Sequence, residues 1–177
     1  MNAKFELTSE TKNWFGRTLH RIKALVDFGD VKAGDLGGFV EREENINVWT
    51  DEGAQVFDKA WVSGEARVFG EARVFGEAWV FGEAQVFGEA WVFDKAWVSG
   101  EAWVSGEARV DRIDDILIIG PIGSRGAFLT IIPGQDYVCT GCFVGTREEF
   151  MKAVQSRHGD NDHAKVYRRA VAFAFGD

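Results

Sequence analysis

Hydrophobic residues recur with a period of six along the middle of the chain. The tripeptide Ala-x-Val occurs ten times in succession between residues 54 and 110, and each alanine lies six residues after the one before. From residue 60 onward, a Gly-Glu or an Asp-Lys pair precedes each of these alanines. A helix brings every third or fourth residue to one face and a strand every second residue. The spacing therefore predicts short strands joined by regular corners, which indicates a repeat architecture.

The order of residues within the six-residue repeat predicts which side chains fill the interior. If valine points inward, the small alanine four residues later also points inward, and the two neighbours of each valine point outward. This order resembles the hexapeptide repeat of left-handed parallel β-helices, in which three repeats form one triangular coil. Segments 55–72 and 91–108 are nearly identical and lie six repeats apart, which equals two such coils. We therefore predict a mainly β chain with a left-handed parallel β-helix over residues 53–112.

The segment before the repeat, residues 1–52, is predicted to be an N-terminal cap. Residues 9–17 are expected to form a turn, while residues 18–28 fit a strand or a helix equally well. Val40 and Ile46 lie one repeat length apart, which indicates an irregular first coil. A cap is expected because the open end of a solenoid exposes unpaired strand edges. A separate functional domain is the alternative interpretation of this segment.

The segment after the repeat, residues 113–177, is predicted to be a small α/β module. Strands are expected at 116–119, 127–132 and 135–139, followed by helices at 146–157 and 161–173. Thr146 and Glu149 have the spacing of a capping box, which supports the start of the first helix. The module either caps the second end of the β-helix or forms an independent head.

Residues three repeats apart are expected to stack on successive coils, and the outward positions are rich in aromatic side chains. We predict that these ladders form binding surfaces, with the main residues Trp61, Trp79, Trp97, Trp91, Trp103, Phe57, Phe75, Phe93 and Arg73. A corner ladder of Lys59, Glu77 and Lys95 alternates in charge, which favours stacking. Monomeric proteins rarely leave large apolar patches uncovered. The faces are therefore expected to be covered by another copy, by the terminal segments or by a ligand, and a homo-oligomer, either a trimer or a dimer, is predicted.

Composition and charge narrow the range of partners. The 177 residues carry a net charge of −8, which argues against direct binding to nucleic acid, because such binding needs a basic surface. No apolar stretch approaches the length of a membrane span, and no basic-then-apolar leader follows Met1. No membrane partner, a cytoplasmic location and no cofactor are therefore predicted.

The candidate chemistry lies in the C-terminal segment. Four residues have a spacing close to that of zinc ligands, namely Cys139, Cys142, His158 and His163. A glycine separates the two histidines, so they do not share one helix, and no metal is favoured. A zinc-stabilised interaction module is therefore kept as an alternative function. A nucleophilic pair of Cys142 with His163 is a further alternative. Ser124 and Arg125 lie in a glycine-flanked loop that could hold an anion or another ligand.

Two motifs resemble segments of known proteins. The sequence LGGFVEREEN at 36–45, which leads into the repeat, resembles the start of a group of hexapeptide-repeat proteins from phages, prophages and enterobacteria, the YdcK-like type. The sequence TGCFVGT at 140–146 resembles a segment near the end of several phage members. The resemblance implies the β-helix fold, a phage origin and the cytoplasm of the host cell as location.

Together these features predict a non-enzymatic, self-associating binding protein of phage type. We expect it to engage or inhibit a host factor, either a host protein or a small signalling ligand, and to counter host defence by sequestering or blocking its target. The alternative is an acyltransferase, because many left-handed β-helix proteins transfer acyl groups from coenzyme A with a histidine as general base. The repeat contains no histidine, so an enzyme is not predicted.

Overall fold

The computed structural model describes the backbone of residues 4–47 and 53–176. The chain divides into two compact units, Met1–Ile113 and Asp114–Asp177. The predicted end of the N-terminal cap, residue 52, lies outside the described residues. Within the described part, no helix is both long and apolar enough to cross a membrane.

Short strands at regular intervals build most of the first unit. A hairpin of β1 (Phe5–Trp14) and β2 (Arg17–Ala24) comes first. The strands that follow are β3 (Leu36–Val40), β4 (Ile46–Asn47), β5 (Gln55–Val56), β6 (Trp61–Val62), β7 (Arg67–Phe69), β8 (Arg73–Val74), β9 (Trp79–Val80), β10 (Gln85–Val86), β11 (Trp91–Val92), β12 (Trp97–Val98), β13 (Trp103–Val104) and β14 (Arg109–Val110). From β5 to β14 each strand starts six residues after the one before, which is the period of the Ala-x-Val tripeptide.

Strands three repeats apart pair in parallel and build three sheets. Their orders are β3-β6-β9-β12, β4-β7-β10-β13 and β5-β8-β11-β14, and the hairpin extends the first sheet in the order β1-β2-β3. In the regular part, each residue lies opposite the equivalent residue three repeats later, as Trp61 lies opposite Trp79. The first unit is therefore a parallel β-solenoid of about four turns, which confirms the predicted stacking. Val40 and Ile46 lie in β3 and β4, so the irregular first coil belongs to the solenoid.

Valine and alanine side chains fill the interior of the solenoid. The repeat alanines from Ala60 to Ala102 and the repeat valines from Val62 to Val110 are fully buried. Backbone hydrogen bonds join successive coils, as between the N–H of Trp61 and the carbonyl of Ala78 at 2.9 Å. Because a small and a medium-sized side chain alternate inside, the space between the sheets of the regular repeat is filled by alanine and valine, and the aromatic residues of the repeat lie on the outer surface.

The N-terminal hairpin differs from the prediction. The turn predicted over residues 9–17 is confirmed at Phe15 and Gly16 but is too long, because β1 continues to Trp14. Both loop residues have positive φ values, 45° and 78°, as a two-residue hairpin loop of type I′ requires. Phenylalanine is uncommon in that conformation, so the sequence carries little sign of the loop. Of the two alternatives for residues 18–28, the strand is observed up to Ala24, because β2 pairs with β1 on one side and with β3 on the other.

The second unit combines an antiparallel sheet with two helices. Its strands pair in chain order and are β15 (Leu117–Ile122), β16 (Ala127–Ile132), β17 (Tyr137–Thr140) and β18 (Phe143–Gly145). The helices are α1 (Arg147–His158) and α2 (Asp162–Phe175), close to the predicted bounds. The capping box is confirmed, because Thr146 Oγ1 accepts a hydrogen bond from the Glu149 N–H at 3.3 Å and the Thr146 N–H donates to the Glu149 carboxylate at 2.9 Å.

Candidate functional site

The outward aromatic residues of the solenoid form continuous stacks, as their spacing predicts. The stacks consist of Trp61, Trp79 and Trp97, of Phe57, Phe75 and Phe93, and of Phe69 and Phe87. Neighbouring rings lie nearly parallel, with centroids 4.9 to 5.2 Å apart. Stacked rings cover one another's faces, so these side chains are half-buried except Trp97, which is 41% exposed. The apolar area left for a partner is therefore smaller than the sequence suggests.

The tip of the N-terminal hairpin covers part of the tryptophan stack. Trp14 contacts Trp79 edge-on, with 5.1 Å between ring centroids, and Phe81 at 5.6 Å. The ammonium group of Lys12 lies 5.2 Å from the centroid of the Trp61 ring, within reach of cation–π attraction. For Trp61 and Trp79, a terminal segment therefore supplies the cover, which is one of the three alternatives that the sequence leaves open, whereas Trp97 is 41% exposed.

On another sheet of the solenoid, two arginines enclose Trp91. The guanidinium carbons of Arg73 and Arg109 lie 5.4 and 4.9 Å from the centroid of the Trp91 ring. Phe75 contacts the same ring edge-on at 6.0 Å. We name the surface formed by Arg73, Trp91, Arg109 and the stack of Phe57, Phe75 and Phe93 the arginine–tryptophan face. It combines residue types that are enriched at the centres of protein interfaces.

The corner ladder of alternating charge contains an ion pair. The Lys59 Nζ atom lies 3.2 Å from a carboxylate oxygen of Glu77, the equivalent corner residue of the next coil. The side chains are 70% and 53% exposed, so the pair is screened by solvent and is worth at most about 1 kcal/mol. The ladder therefore supports the stacking of the coils without determining it.

Reversing the charge of Lys59 tests this ladder. Lys59→Glu is expected to lower the free energy of unfolding of the first unit by about 0.5–1 kcal/mol, because an attraction becomes a repulsion at strand spacing. Denaturant unfolding followed by tryptophan fluorescence measures the change, since all seven tryptophans lie in the first unit. Molar salt should reduce the difference in the free energy of unfolding between the wild-type protein and Lys59→Glu. A difference that salt leaves unchanged would show that charge is not its cause.

The second unit contains a cavity of about 220 Å³, which we name the C-terminal cavity. Its polar lining residues include Ser124, Arg125, Thr140, Cys142, Arg157, His158 and Tyr167, and its apolar ones include Phe143, Phe150 and Val154. They come from the loop after β15, from the end of β17, the turn after it and the start of β18, and from both helices. Ser124 and Arg125, the residues predicted to hold an anion or another ligand, therefore lie at a cavity.

Arg125 and Cys142 meet at the C-terminal cavity. Arg125 Nη1 donates a hydrogen bond to Cys142 Sγ at 3.7 Å. This hydrogen bond and the positive charge of Arg125 lower the pKa of the Cys142 thiol below its ordinary value of 9.0, because both favour the thiolate. The charge of Arg157 acts in the same direction. Because Cys142 is exposed and Cys139 is buried, Cys142 is the accessible thiol of the two.

Tyr167 packs closely against Gly123, in the loop that carries Arg125. A Cβ atom at Gly123 would overlap the Tyr167 hydroxyl group, so only glycine lets the loop approach the ring this closely. The Tyr167 ring also contacts Phe150 edge-on, with 5.4 Å between centroids, and lies 6.0 Å from His158. Burial raises the pKa of Tyr167 above its ordinary value of 10.0, although the charges of the nearby arginines oppose the change. The phenol is therefore a neutral polar group at the cavity.

The four residues with zinc-like spacing are not arranged around a common point. The rings of His158 and His163 are 5.8 Å apart. Cys139 follows Val138, whose side chain packs against the helices, so Cys139 faces the other side of the sheet. Among the described residues, no group of three or more His, Cys, Asp or Glu side chains is placed to hold a metal ion. His158, rather than His163, lines the C-terminal cavity with Cys142.

Fold and sites together define the class of the protein, a parallel β-solenoid joined to a small α/β module with a basic cavity. In comparisons with known proteins, no protein-family model and no curated protein matches the chain.

Sequence reasoning finds one side of the C-terminal cavity and misses the other. Arg125 stands out because glycines flank its loop, whereas Arg157 and Tyr167 occupy ordinary helical positions. The only local signal for Arg157 is its place in the last turn of α1, where a basic residue is also expected for helix stability.

Proposed function

We propose that the protein is a non-enzymatic binding protein that self-associates through the arginine–tryptophan face. The observation that carries the proposal is the enclosure of Trp91 by Arg73 and Arg109 beside a continuous phenylalanine stack. Tryptophan and arginine are prominent among the residues that dominate binding energy in interface centres. Among the described residues, Trp14 makes ring contacts with the tryptophan stack, Phe81 and its neighbour Phe15, so the hairpin tip does not cover Trp91. The N-terminal segment reaches the edge of this face at Asp30, which lies 3.5 Å from Arg73.

The charges of the arginine–tryptophan face are complementary to those of the same face on a second copy of the chain. The corner before each of three strands of this sheet carries a glutamate, and these residues are Glu71, Glu89 and Glu107. A column of carboxylates therefore runs beside the column of Arg73, Trp91 and Arg109. Two copies related by a two-fold axis would place the acidic column of each opposite the arginines of the other, which makes the surface complementary to itself. We therefore infer a dimer rather than a trimer.

Sedimentation velocity at micromolar concentration tests self-association. The wild-type protein is expected to sediment as a dimer, and Trp91→Glu is expected to weaken the dimer by about tenfold or more, because it places a charge at the interface centre. Trp103→Glu is the matched control, because Trp103 holds the equivalent position on a neighbouring sheet and is also half-buried. A monomeric wild-type protein, or equal weakening by both substitutions, would contradict the proposal.

We further propose that the solenoid is left-handed and that the chain is a hexapeptide-repeat protein of phage or prophage type. The support is the six-residue strand spacing together with the resemblance of residues 36–45 and 140–146 to that group. On this proposal, the protein acts in the host cytoplasm, where it engages or inhibits a host protein or a small signalling molecule. A role in binding rather than acyl transfer is supported by the lack of histidine in residues 53–112. Turnover of acetyl coenzyme A by the purified protein would contradict it.

A further inference from the structure

The C-terminal cavity lies in the second unit, apart from the arginine–tryptophan face, and has a chemistry of its own. The described residues that line it include two arginines, Arg125 and Arg157, together with His158, and no aspartate or glutamate. The chain as a whole carries a net charge of −8. The charged residues of this cavity are all basic, although the chain as a whole is acidic. The cavity therefore attracts anions.

The two arginines of the cavity are not engaged by carboxylates. In the part of the second unit that the structure describes, neither guanidinium lies within ion-pair distance of an aspartate or glutamate, whereas Arg168 lies 3.0 Å from Asp160. Among the described residues, the Arg125 side chain donates a hydrogen bond to the sulfur of Cys142. Sulfur is a weak acceptor, and a guanidinium group has five N–H donors. Most of the donors of Arg125 therefore remain available to a ligand.

We infer that the C-terminal cavity binds a small organic oxyanion, a phosphate or carboxylate group that carries a compact apolar part. Arg125 and Arg157 bind the oxyanion, because the planar guanidinium group matches the oxygens of either group with two parallel hydrogen bonds. Phe143 and Phe150 line the same cavity and contact the apolar part. The volume of about 220 Å³ is below that of typical drug-sized pockets, so the ligand is small.

Cys142 makes this binding measurable. Arg125 donates a hydrogen bond to the sulfur of Cys142 and also binds the oxyanion. A bound ligand therefore shields the thiol, and it competes for the hydrogen bond that favours the thiolate. Iodoacetamide reacts with the thiolate form, and its reaction with Cys142 should therefore slow when the cavity is filled. Cys139 is buried, so it should stay unmodified as long as the protein remains folded during the reaction.

The experiment measures the alkylation rate of Cys142 in the intact protein by peptide mass spectrometry. The probes are phenyl phosphate, benzoate and inorganic phosphate, and benzyl alcohol is the uncharged control. Phenyl phosphate or benzoate is expected to slow alkylation several-fold in a saturable manner, and the more effective of the two identifies the charged group of the ligand. Inorganic phosphate should protect only at higher concentration, and benzyl alcohol should not protect.

Substitutions of the two arginines test the assignment of the binding residues. Arg157→Gln is expected to raise the concentration of the effective probe needed for half-protection by about tenfold or more. Arg125→Gln should have a similar effect, but it also removes the hydrogen bond to the thiol. Arg157 acts on the thiol only through its charge, as the smallest of the causes, so Arg157→Gln is the cleaner variant. Both side chains are exposed, and folding is checked by circular dichroism. The control is Arg169→Gln, an exposed arginine of α2 that does not line the cavity.

The outcomes separate the parts of the inference. Failure of every anion to protect Cys142, or protection that survives Arg157→Gln unchanged, would overturn it. Equal protection by inorganic phosphate and phenyl phosphate would overturn the assignment of an apolar part. These results are independent of the oligomeric state, so they do not depend on the proposed self-association.

Discussion

Replacing Asn45 with alanine is expected to lower the free energy of unfolding of the first unit by about 2–3 kcal/mol. Asn45 is 1% exposed, and its side-chain amide donates hydrogen bonds to the carbonyls of Gly64 at 3.1 Å and Ala66 at 2.8 Å. Its side-chain oxygen accepts one from the Arg42 N–H at 3.0 Å. Alanine would remove all three bonds inside a packed region, where water cannot replace them without cost.

The side chain of Asn45 donates hydrogen bonds at a place in the solenoid where backbone N–H groups donate them in the regular coils. In the regular coils, a corner carbonyl accepts a hydrogen bond from a backbone N–H of the preceding coil, as Gly76 does from Lys59 at 3.0 Å. The first coil takes up more of the chain than the regular coils, since Phe39 lies opposite Trp61. There the amide of Asn45 and the guanidinium of Arg42 bind the carbonyl of Gly64. A buried side chain therefore completes the ladder at the point where the repeat is irregular.

Denaturant unfolding followed by tryptophan fluorescence measures the effect of Asn45→Ala. The neighbouring Glu44 is exposed, and Glu44→Ala should change the free energy of unfolding by less than about 0.5 kcal/mol. Asn45→Asp keeps the size and the acceptor but loses both donors, so it should destabilise at least as much as alanine. A loss below about 1 kcal/mol for Asn45→Ala would show that the carbonyls find other partners.

The fold is predictable from the sequence wherever a local pattern repeats. The period of six predicts the strands, and the grouping of three repeats into one coil predicts their partners, so Trp61 and Trp79 can be placed on neighbouring strands without a structure. The capping box at Thr146 is equally local, and it is confirmed. The roles of Phe15 and Asn45 cannot be predicted in this way. Phe15 carries no sequence signal for a tight loop, and Asn45 depends on carbonyls of the next coil, far along the chain.

The candidate sites depend more strongly than the fold on contacts between residues that are far apart in the sequence. Trp14 covers Trp79 from the N-terminal hairpin, so the sequence shows an aromatic ladder without showing that part of it is covered. The C-terminal cavity arises only when a loop, a turn and two helices pack together, which brings Arg125, Cys142 and Arg157 to one place. Residue type and spacing suggest Arg125 and Cys142 separately, but they do not show that the two meet or that Arg157 joins them.

Alanine at Gly82 is expected to destabilise the first unit by about 2–4 kcal/mol. Gly82 has a φ of 76°, a left-handed conformation that costs a residue with a side chain about 1–2 kcal/mol. An added Cβ atom would also lie 3.0 Å from the nitrogen and 3.1 Å from the carbonyl oxygen of Gly100 on the next coil. Both are backbone atoms of the stacked coils, so they cannot move aside without loosening the packing.

Gly100 provides the matched control one coil later at the same corner. Its φ is 64°, yet a Cβ atom there would meet nothing within 4 Å, so Gly100→Ala should cost only the conformational part, about 1–2 kcal/mol. Asp58 shows how a side chain is accommodated at such a corner, because its carboxylate accepts a hydrogen bond from the Gly76 N–H at 3.3 Å. Gly82→Asp should therefore destabilise less than Gly82→Ala in denaturant unfolding. Equal losses for alanine at Gly82 and Gly100 would show that the close approach of the coils adds nothing to the requirement for glycine.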